Sequence, residues 1–340
     1  MAFSGPRVAE RVCALAPPSA TFRMIERPSV RAFAPATVGN VICGFDVFGL
    51  ALEAPGDEVE VRRREEPGVV IIAIHGDGGR IPTESDRNVA SVAAQAVLVE
   101  CEKQDVGLEL EIWKGLPLAG GMGGSAASSV AAVLATDKLV GAGLTKEALL
   151  RCALKGEQKP TGSIHPDNVA PALHGGIVMV RPDAPSVAID LPVPEGVAIA
   201  LVHPHLELET KAMREALAPD VPLTRAVAQW ADCAALVVGL YEEDWDLISR
   251  ALVDRIAQPA RSPFIPGFAD VCSAAVEAGA VGAGLSGSGP SMFGLCKNIG
   301  TAEVVADAMM RAFGSGGLEA VDRHVSLVDP EGARIVKDTT

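Results

Sequence analysis

The sequence predicts an α+β protein in two halves. Three observations carry that expectation. The chain has 340 residues, enough for two ordinary domains, and 49% of them are hydrophobic, which supports a large core and excludes general disorder. Segments with strand and helix periodicity alternate irregularly, without a steady βαβ rhythm or an internal repeat. A proline-rich stretch from Pro182 to Pro194 is the best candidate boundary. The expected division is a disordered leader over 1–23, a first domain over 24–190 and a second over 191–340.

The leader holds three arginines and little periodicity. A transit peptide, a mis-assigned start and a disordered tail all fit such a segment, so the expected fold begins at Met24. Val30 to Thr37 alternates like a strand, and Glu58 to Arg63 and Val69 to His75 flank a Glu-Pro-Gly turn. Asn88 to Glu102 has helical periodicity, and Gly107 to Trp113 is strand-like. A helix follows over Val130 to Val140, and Thr145 caps another that runs through Lys155. Gly175 to Arg181 reads as a buried strand. Beyond the boundary come a strand over Val197 to Val202, several helices between Glu209 and Ala251, and a helix from Phe268 to Ala278. Strands over Gly282 to Leu285 and Ser291 to Leu295, a helix from Ala302 to Phe313 and a strand near Val325 complete the series.

Composition narrows the function. The formal charge is −14 and no cluster of Lys and Arg appears, which argues against a polyanion groove and so against nucleic acid. No apolar run reaches the 18 or so residues that cross a bilayer, so no membrane association is expected. The seven cysteines (Cys13, Cys43, Cys101, Cys152, Cys233, Cys272 and Cys296) are scattered and lack a CxxC pair. That pattern suits reduced thiols in the cytoplasm, although a leader of this kind leaves organelle targeting open. The histidines show no HExxH spacing. Only Mg²⁺, satisfied by one or two oxygen ligands plus phosphates, escapes such a motif search.

The most informative stretch is PLAGGMGGSAASS, residues 117–129. Four glycines let backbone N–H groups turn toward one point, because no Cβ blocks approach or forbids positive φ. A helix starting directly afterwards adds its own unpaired N–H groups and the positive end of its dipole. Together they make a phosphate-sized anion site. The spacing is neither GxxxxGK[ST] nor a GxGxxG turn with its acidic partner, so a Walker loop and a dinucleotide fold both fit poorly. The plainer alternative is a glycine-rich surface loop before a core helix.

Four further segments place polar residues inside packable sequence: PATVGNVICGFDVFGLAL (35–52), Glu157 with GSIHPDNVAPALHGG (162–176), TKAMR (210–214), and a second glycine loop, GLSGSGP (284–290). Singly, Asn40 and Asp46 fit turn residues, the His165-Pro-Asp segment a solvated loop, and Arg214 an exposed helix residue. Jointly, and with DRIAQPARSPFIPGF (254–268), they resemble the GHMP kinases, in the family's motif order and from about Val30 to the C-terminus. The phosphate loop resembles the superfamily pattern PxxxGLGSSAA. The segments 35–52, 162–176 and 254–268 are similar to its homoserine-specific branch.

The resemblance implies a two-domain GHMP kinase fold. Its N-terminal domain is α/β, like ribosomal protein S5, with a left-handed βαβ unit holding the phosphate loop, and its C-terminal domain is ferredoxin-like. It implies transfer of the ATP γ-phosphoryl group to the hydroxyl of L-homoserine, and a homodimer, since members are often dimers. It places ATP on Pro117, Leu118, Ala119, Gly120, Gly121, Met122, Gly123, Gly124, Ser125, Ala126, Ala127 and Ser128, with Asn88 near adenine. It assigns Mg²⁺ to Ser125 and Glu157, and the acceptor to Asn40, Asp46, His165, Asn168, Thr210, Arg214 and Arg261. Such a zwitterion wants a carboxylate for its ammonium and a planar guanidinium for its carboxylate. Sister kinases carry Asp where this chain has Asn168, so Asn168 is expected to orient the hydroxyl, with a proton relay through Asp167 or the phosphate left open. Gly124 in place of the first loop serine, Cys43 in place of a proline and Gln158 in place of a glycine are the departures. Mevalonate or shikimate as acceptor, and a catalytically dead ligand sensor, are the competing readings.

Overall fold

Two sheets divide the described chain. A computed structural model describes residue 1 and residues 28–340, apart from Glu319 and the side chains of 159–161; the expected leader, Met1 aside, lies outside the described residues. In chain order the first sheet is entered by β1 (Ser29–Gly39), β2 (Phe48–Arg64) and β3 (Gly68–His75), followed by helix α1 (Val89–Glu100) and β4 (Gly107–Trp113). Helices α2 (Gly124–Val140), α3 (Lys146–Thr161) and α4 (Pro166–His174) come next, then the hairpin β5 (Ile177–Arg181) and β6 (Ala184–Leu191).

The second sheet starts with β7 (Ala198–Pro204). Helices α5 (Thr210–Glu215), α6 (Leu223–Glu242), α7 (Trp245–Ala251) and α8 (Ala257–Arg261) follow, then a 3₁₀ turn at Ser262–Phe264 and α9 (Phe268–Glu277). The hairpin β8 (Gly282–Leu285) and β9 (Met292–Cys296), helix α10 (Ile299–Ser315) and β10 (Val321–Leu327) complete it. A further strand, β11 (Arg334–Asp338), returns to the first sheet.

The first sheet runs β11-β1-β2-β4-β3, with β5 on the early half of β2 and β6 beyond it. Its pairings are antiparallel except β3 with β4, which are parallel and joined through α1. The second sheet runs β10-β7-β9-β8, all antiparallel. Numbered from β7 that is the order 4-1-3-2 with helices before the second and fourth strands, a ferredoxin-like arrangement. The sheets meet where Leu52 bridges Val328 and where the Ser326 hydroxyl accepts from Glu53 N at 2.8 Å.

Several elements differ from expectation for identifiable reasons. β2 begins ten residues before Glu58 and passes through Pro55 and Gly56, both strand breakers by propensity. It tolerates them because the β1–β2 ladder shifts register between Pro35 and Thr37, and a Cβ on Gly56 would press on Phe33. The proline-rich stretch is occupied by β6. α2 starts inside the glycine loop, six residues before Val130, because Ala126 and Ala127 are strong helix formers. α4 opens with Pro166 at its first turn, where the missing N–H costs nothing.

The core lies between the first sheet and α1, α2, α3 and α4. α2 sits against β1 and β2 through alanines such as Ala127 and Ala131, whose small side chains admit close approach. α6 is long and apolar enough, by length and composition, to cross a membrane; Gln229 and Asp232 interrupt it, and Leu236 and Leu240 are buried in the protein core.

Candidate active site

One cavity of about 390 Å³ opens between the two sheets. The glycine loop supplies one wall, from Pro117 to Gly121 and from Gly123 to Ser125. Asn40, Asp46, Asn88, Glu157, His165, Asn168, Thr210, Arg214 and Arg261 also line it, as does Ser288, so segments up to 248 residues apart in sequence (Asn40 to Ser288) converge. Met122, Ala126, Ala127 and Ser128 do not line it; they are buried behind the loop.

The loop is held in a shape that glycine permits. Gly121 (φ 73°) and Gly123 (φ 69°) are left-handed, and a Cβ on Gly123 would lie 2.0 Å from Thr37 Oγ1. Beside the loop, with Lys114 on the cavity wall, lies a buried ion pair that no motif announces. Lys114 Nζ contacts the Asp57 carboxylate and donates to Gly124 O at 2.8 Å and to Ser128 Oγ at 2.9 Å. Asp57 also accepts from the N–H groups of Gly115 and Leu116 at 3.0 and 3.2 Å. The second glycine loop and the residue after it brace the first from the other sheet: Ser286 Oγ donates to Gly121 O at 2.7 Å, and Ser291 Oγ to Gly120 O at 2.5 Å.

Beside the start of α2, Ser125 Oγ donates to Glu157 Oε1 at 2.5 Å. Glu157 is fully buried, and its other oxygen accepts from His165 N and from His165 Nδ1, both at 3.1 Å. Burial works against a charged His165 ring, but the Glu157 carboxylate, with Asp167 and Asp46, outweighs it and raises the pKa. A hydroxyl and a carboxylate this close suit a hard cation that completes its shell with phosphate and water. Among the described residues no group of three or more His, Cys, Asp or Glu side chains is placed to hold a metal unaided.

Elsewhere on the cavity wall, Asp46 Oδ2 accepts from Arg214 Nη1 at 2.6 Å. Asn40 fixes that corner by accepting from Asp46 N at 3.0 Å and donating to Gly287 O at 2.8 Å. Arg261 is buried and donates to Met213 O and Gly287 O, both at 3.2 Å. Its burial lowers its pKa. The guanidinium groups of Arg214 and Arg261 both stand over Phe45, at 5.2 and 5.1 Å from the ring centre. Thr210 Oγ1 lies 3.4 Å from the Ser288 hydroxyl.

Asn168 abuts the loop. Its Oδ1 accepts from Thr37 Oγ1 at 2.9 Å, and a Cβ on Gly123 would sit 3.2 Å from the same oxygen. Next to it, Asp167 is buried, lines the cavity, and has one oxygen without a partner among the described residues. Burial, reinforced by the Asp46 charge, pushes its pKa up to about 6. Asn88 caps α1, accepting from Ala90 N and Ser91 N and donating to Pro82 O. Thr37, Lys114, Ser286 and Ser291 escaped sequence reasoning as individual residues; Thr37 and Ser286 lie within segments that stood out, 35–52 and 284–290, and Ser291 directly follows the second.

With this geometry in place, comparison with known proteins is direct. The family profile described as GHMP kinases N terminal domain matches residues 88–176, and that described as GHMP kinases C terminal matches 236–316. A homoserine kinase of Chlorobium phaeobacteroides is 44% identical over 320 residues, spanning 91% of this chain and 99% of the relative. One from Xylella fastidiosa is 40% identical over 306 residues, spanning 90% and 94%. Among solved structures, a homoserine kinase from Cytophaga hutchinsonii superposes with a TM-score of 0.88 at 43% identity, covering 93% of this chain and 99% of that one.

Proposed function

The chain belongs to the homoserine kinase family of the GHMP kinases, and from that premise we propose that it transfers the γ-phosphoryl group of ATP to the side-chain hydroxyl of L-homoserine. The product is O-phospho-L-homoserine, on the route to threonine. The observation that carries the reading is the joining, in one cavity, of a glycine loop with a carboxylate and two guanidinium groups suited to a zwitterion.

The phosphates of ATP lie on the loop N–H groups and the start of α2, where partial positive charge collects. Ser125 and Glu157 hold Mg²⁺, which supplies neutralisation of the charge on the transferring group when bound. Asn88, at the head of α1, lies toward the base. The homoserine ammonium faces Asp46 and its carboxylate faces Arg214 and Arg261, so the acceptor separates the Asp46–Arg214 pair and takes both partners. His165, fixed by Glu157, and Asn40 and Thr210 close the acceptor pocket.

Asn168, held by Thr37, orients the hydroxyl toward the phosphorus. A loose transition state demands little early deprotonation, so orientation counts for more than basicity. Asp167 is the carboxylate placed to receive the proton late, with a pKa of about 6 and an unpartnered oxygen.

The test is ADP release from Mg-ATP with L-homoserine, D-homoserine, mevalonate, shikimate or no acceptor. Turnover confined to L-homoserine is expected. Turnover with mevalonate or shikimate would keep the phosphate site and discard the acceptor map. In the same assay Asp46→Asn should raise KM for homoserine about 10- to 100-fold, the worth of a charged hydrogen bond, and leave KM for ATP within about twofold. Equal changes in both would remove Asp46 from the ammonium.

A further inference from the structure

Four carbonyl groups of the phosphate loop are each tied to a different part of the scaffold. Gly120 O accepts from Ser291 Oγ at 2.5 Å and from Ser291 N at 3.3 Å. Gly121 O accepts from Ser286 Oγ at 2.7 Å, Met122 O from Thr37 N at 3.1 Å, and Gly124 O from Lys114 Nζ at 2.8 Å. In a trans peptide the carbonyl of one residue and the N–H of the next lie in one plane and point in opposite directions. Tying back these four carbonyls therefore turns the N–H groups of Gly121, Met122, Gly123 and Ser125 the other way. No acceptor among the described residues takes any of those four N–H groups.

A free glycine loop would not hold this arrangement. Glycine peptides flip at little cost, and a flipped peptide would aim an oxygen at the anion in place of a donor. The two serines come from the other sheet, Ser286 in the second glycine loop and Ser291 directly after it, and Ser291 is itself set from β7. The single hydroxyl proton of Ser291 is committed to Gly120 O, so at 3.0 Å the Nδ1–H of His203 must be the donor to Ser291 Oγ. His203 is buried, and burial keeps its pKa below the ordinary range, with His205 and His324 adding to the effect.

We infer that His203, Ser291 and Ser286 are positioning residues for phosphoryl transfer: they line up the loop's N–H donors by anchoring its carbonyls, without lining the cavity themselves. Together with Thr37 and Lys114 they make the anion site preformed, so nucleotide binding does not bear the cost of ordering the loop. This rests on the reading that the loop holds the phosphates of ATP.

The experiment titrates ADP and adenosine, separately, into the wild-type protein and into Ser291→Ala, Ser286→Ala, the double variant, His203→Leu and His203→Asn. Each lost anchor should weaken ADP about fivefold, the worth of one buried hydrogen bond, and the double variant about 30-fold, with adenosine within about twofold throughout. His203→Leu should match Ser291→Ala, and His203→Asn, whose amide N–H replaces Nδ1–H, should restore ADP binding. Melting curves of the near-isosteric serine variants separate unfolding from loosening. A wild-type protein that binds ADP no better than adenosine would remove the phosphate reading and this inference with it. A wild-type preference for ADP that survives in the double variant, or equal losses for both ligands, would overturn the anchoring role alone.

Discussion

Asp167 shows how one side chain couples stability to chemistry. Its folded pKa of about 6 lies above the ordinary 3.8, so between those values the folded protein binds a proton that the unfolded chain has released. Stability contributed by this group is therefore present in acid and lost as pH rises from about 4 through about 6. Asp167→Asn should raise stability at pH 7 by about 1–3 kcal/mol, read as a higher Tm. It should also lower kcat about tenfold or more and erase the rise in rate near pH 6. An unchanged pH profile would take Asp167 out of the proton path. The residue stands out in the sequence beside Asn168, but its burial does not, because that depends on β2: a Cβ on Gly49 would lie 1.7 Å from Asp167 O.

The element on which the site depends is the loop that leads into α2. Its glycines were legible because positive φ at Gly121 and Gly123 needs that residue type. The lysine beside it was not, since one Lys at the end of a strand has no spacing to betray it. Lys114→Met should leave the Asp57 carboxylate buried and uncompensated, at a cost of about 3–5 kcal/mol. The measurement is urea denaturation of Lys114→Met against Asp57→Asn/Lys114→Met. Recovery in the double variant marks the pair as the cause, and a Lys114→Met midpoint equal to wild type would deny it. β11 was missed for another reason: it has only five residues and is a strand by virtue of β1 beside it.

At the scale of the molecule, the cavity belongs to both sheets. Asn40 and the loop stand on one side, Arg214, Arg261 and Gly287 on the other, and Asn40 and Arg261 both donate to Gly287 O. Calorimetry should show one cooperative transition, and ADP at a hundred times its Kd should move the whole of it by about 2.7 kcal/mol. Two transitions with only the first shifted would mean that the halves unfold independently. The two-half architecture was readable from alternating periodicities, but which strands close each sheet is a long-range property. Ser29 N donates to Thr339 Oγ1 at 2.9 Å across 310 positions of chain. On a ribosome making about 5–20 residues per second, β1 waits roughly 15–60 s for β11 to emerge. Throughout that interval the nascent polypeptide carries an open strand edge, the template on which chains pair with one another. Slower translation therefore lengthens the exposure of that edge, and crowded polysomes bring such edges together.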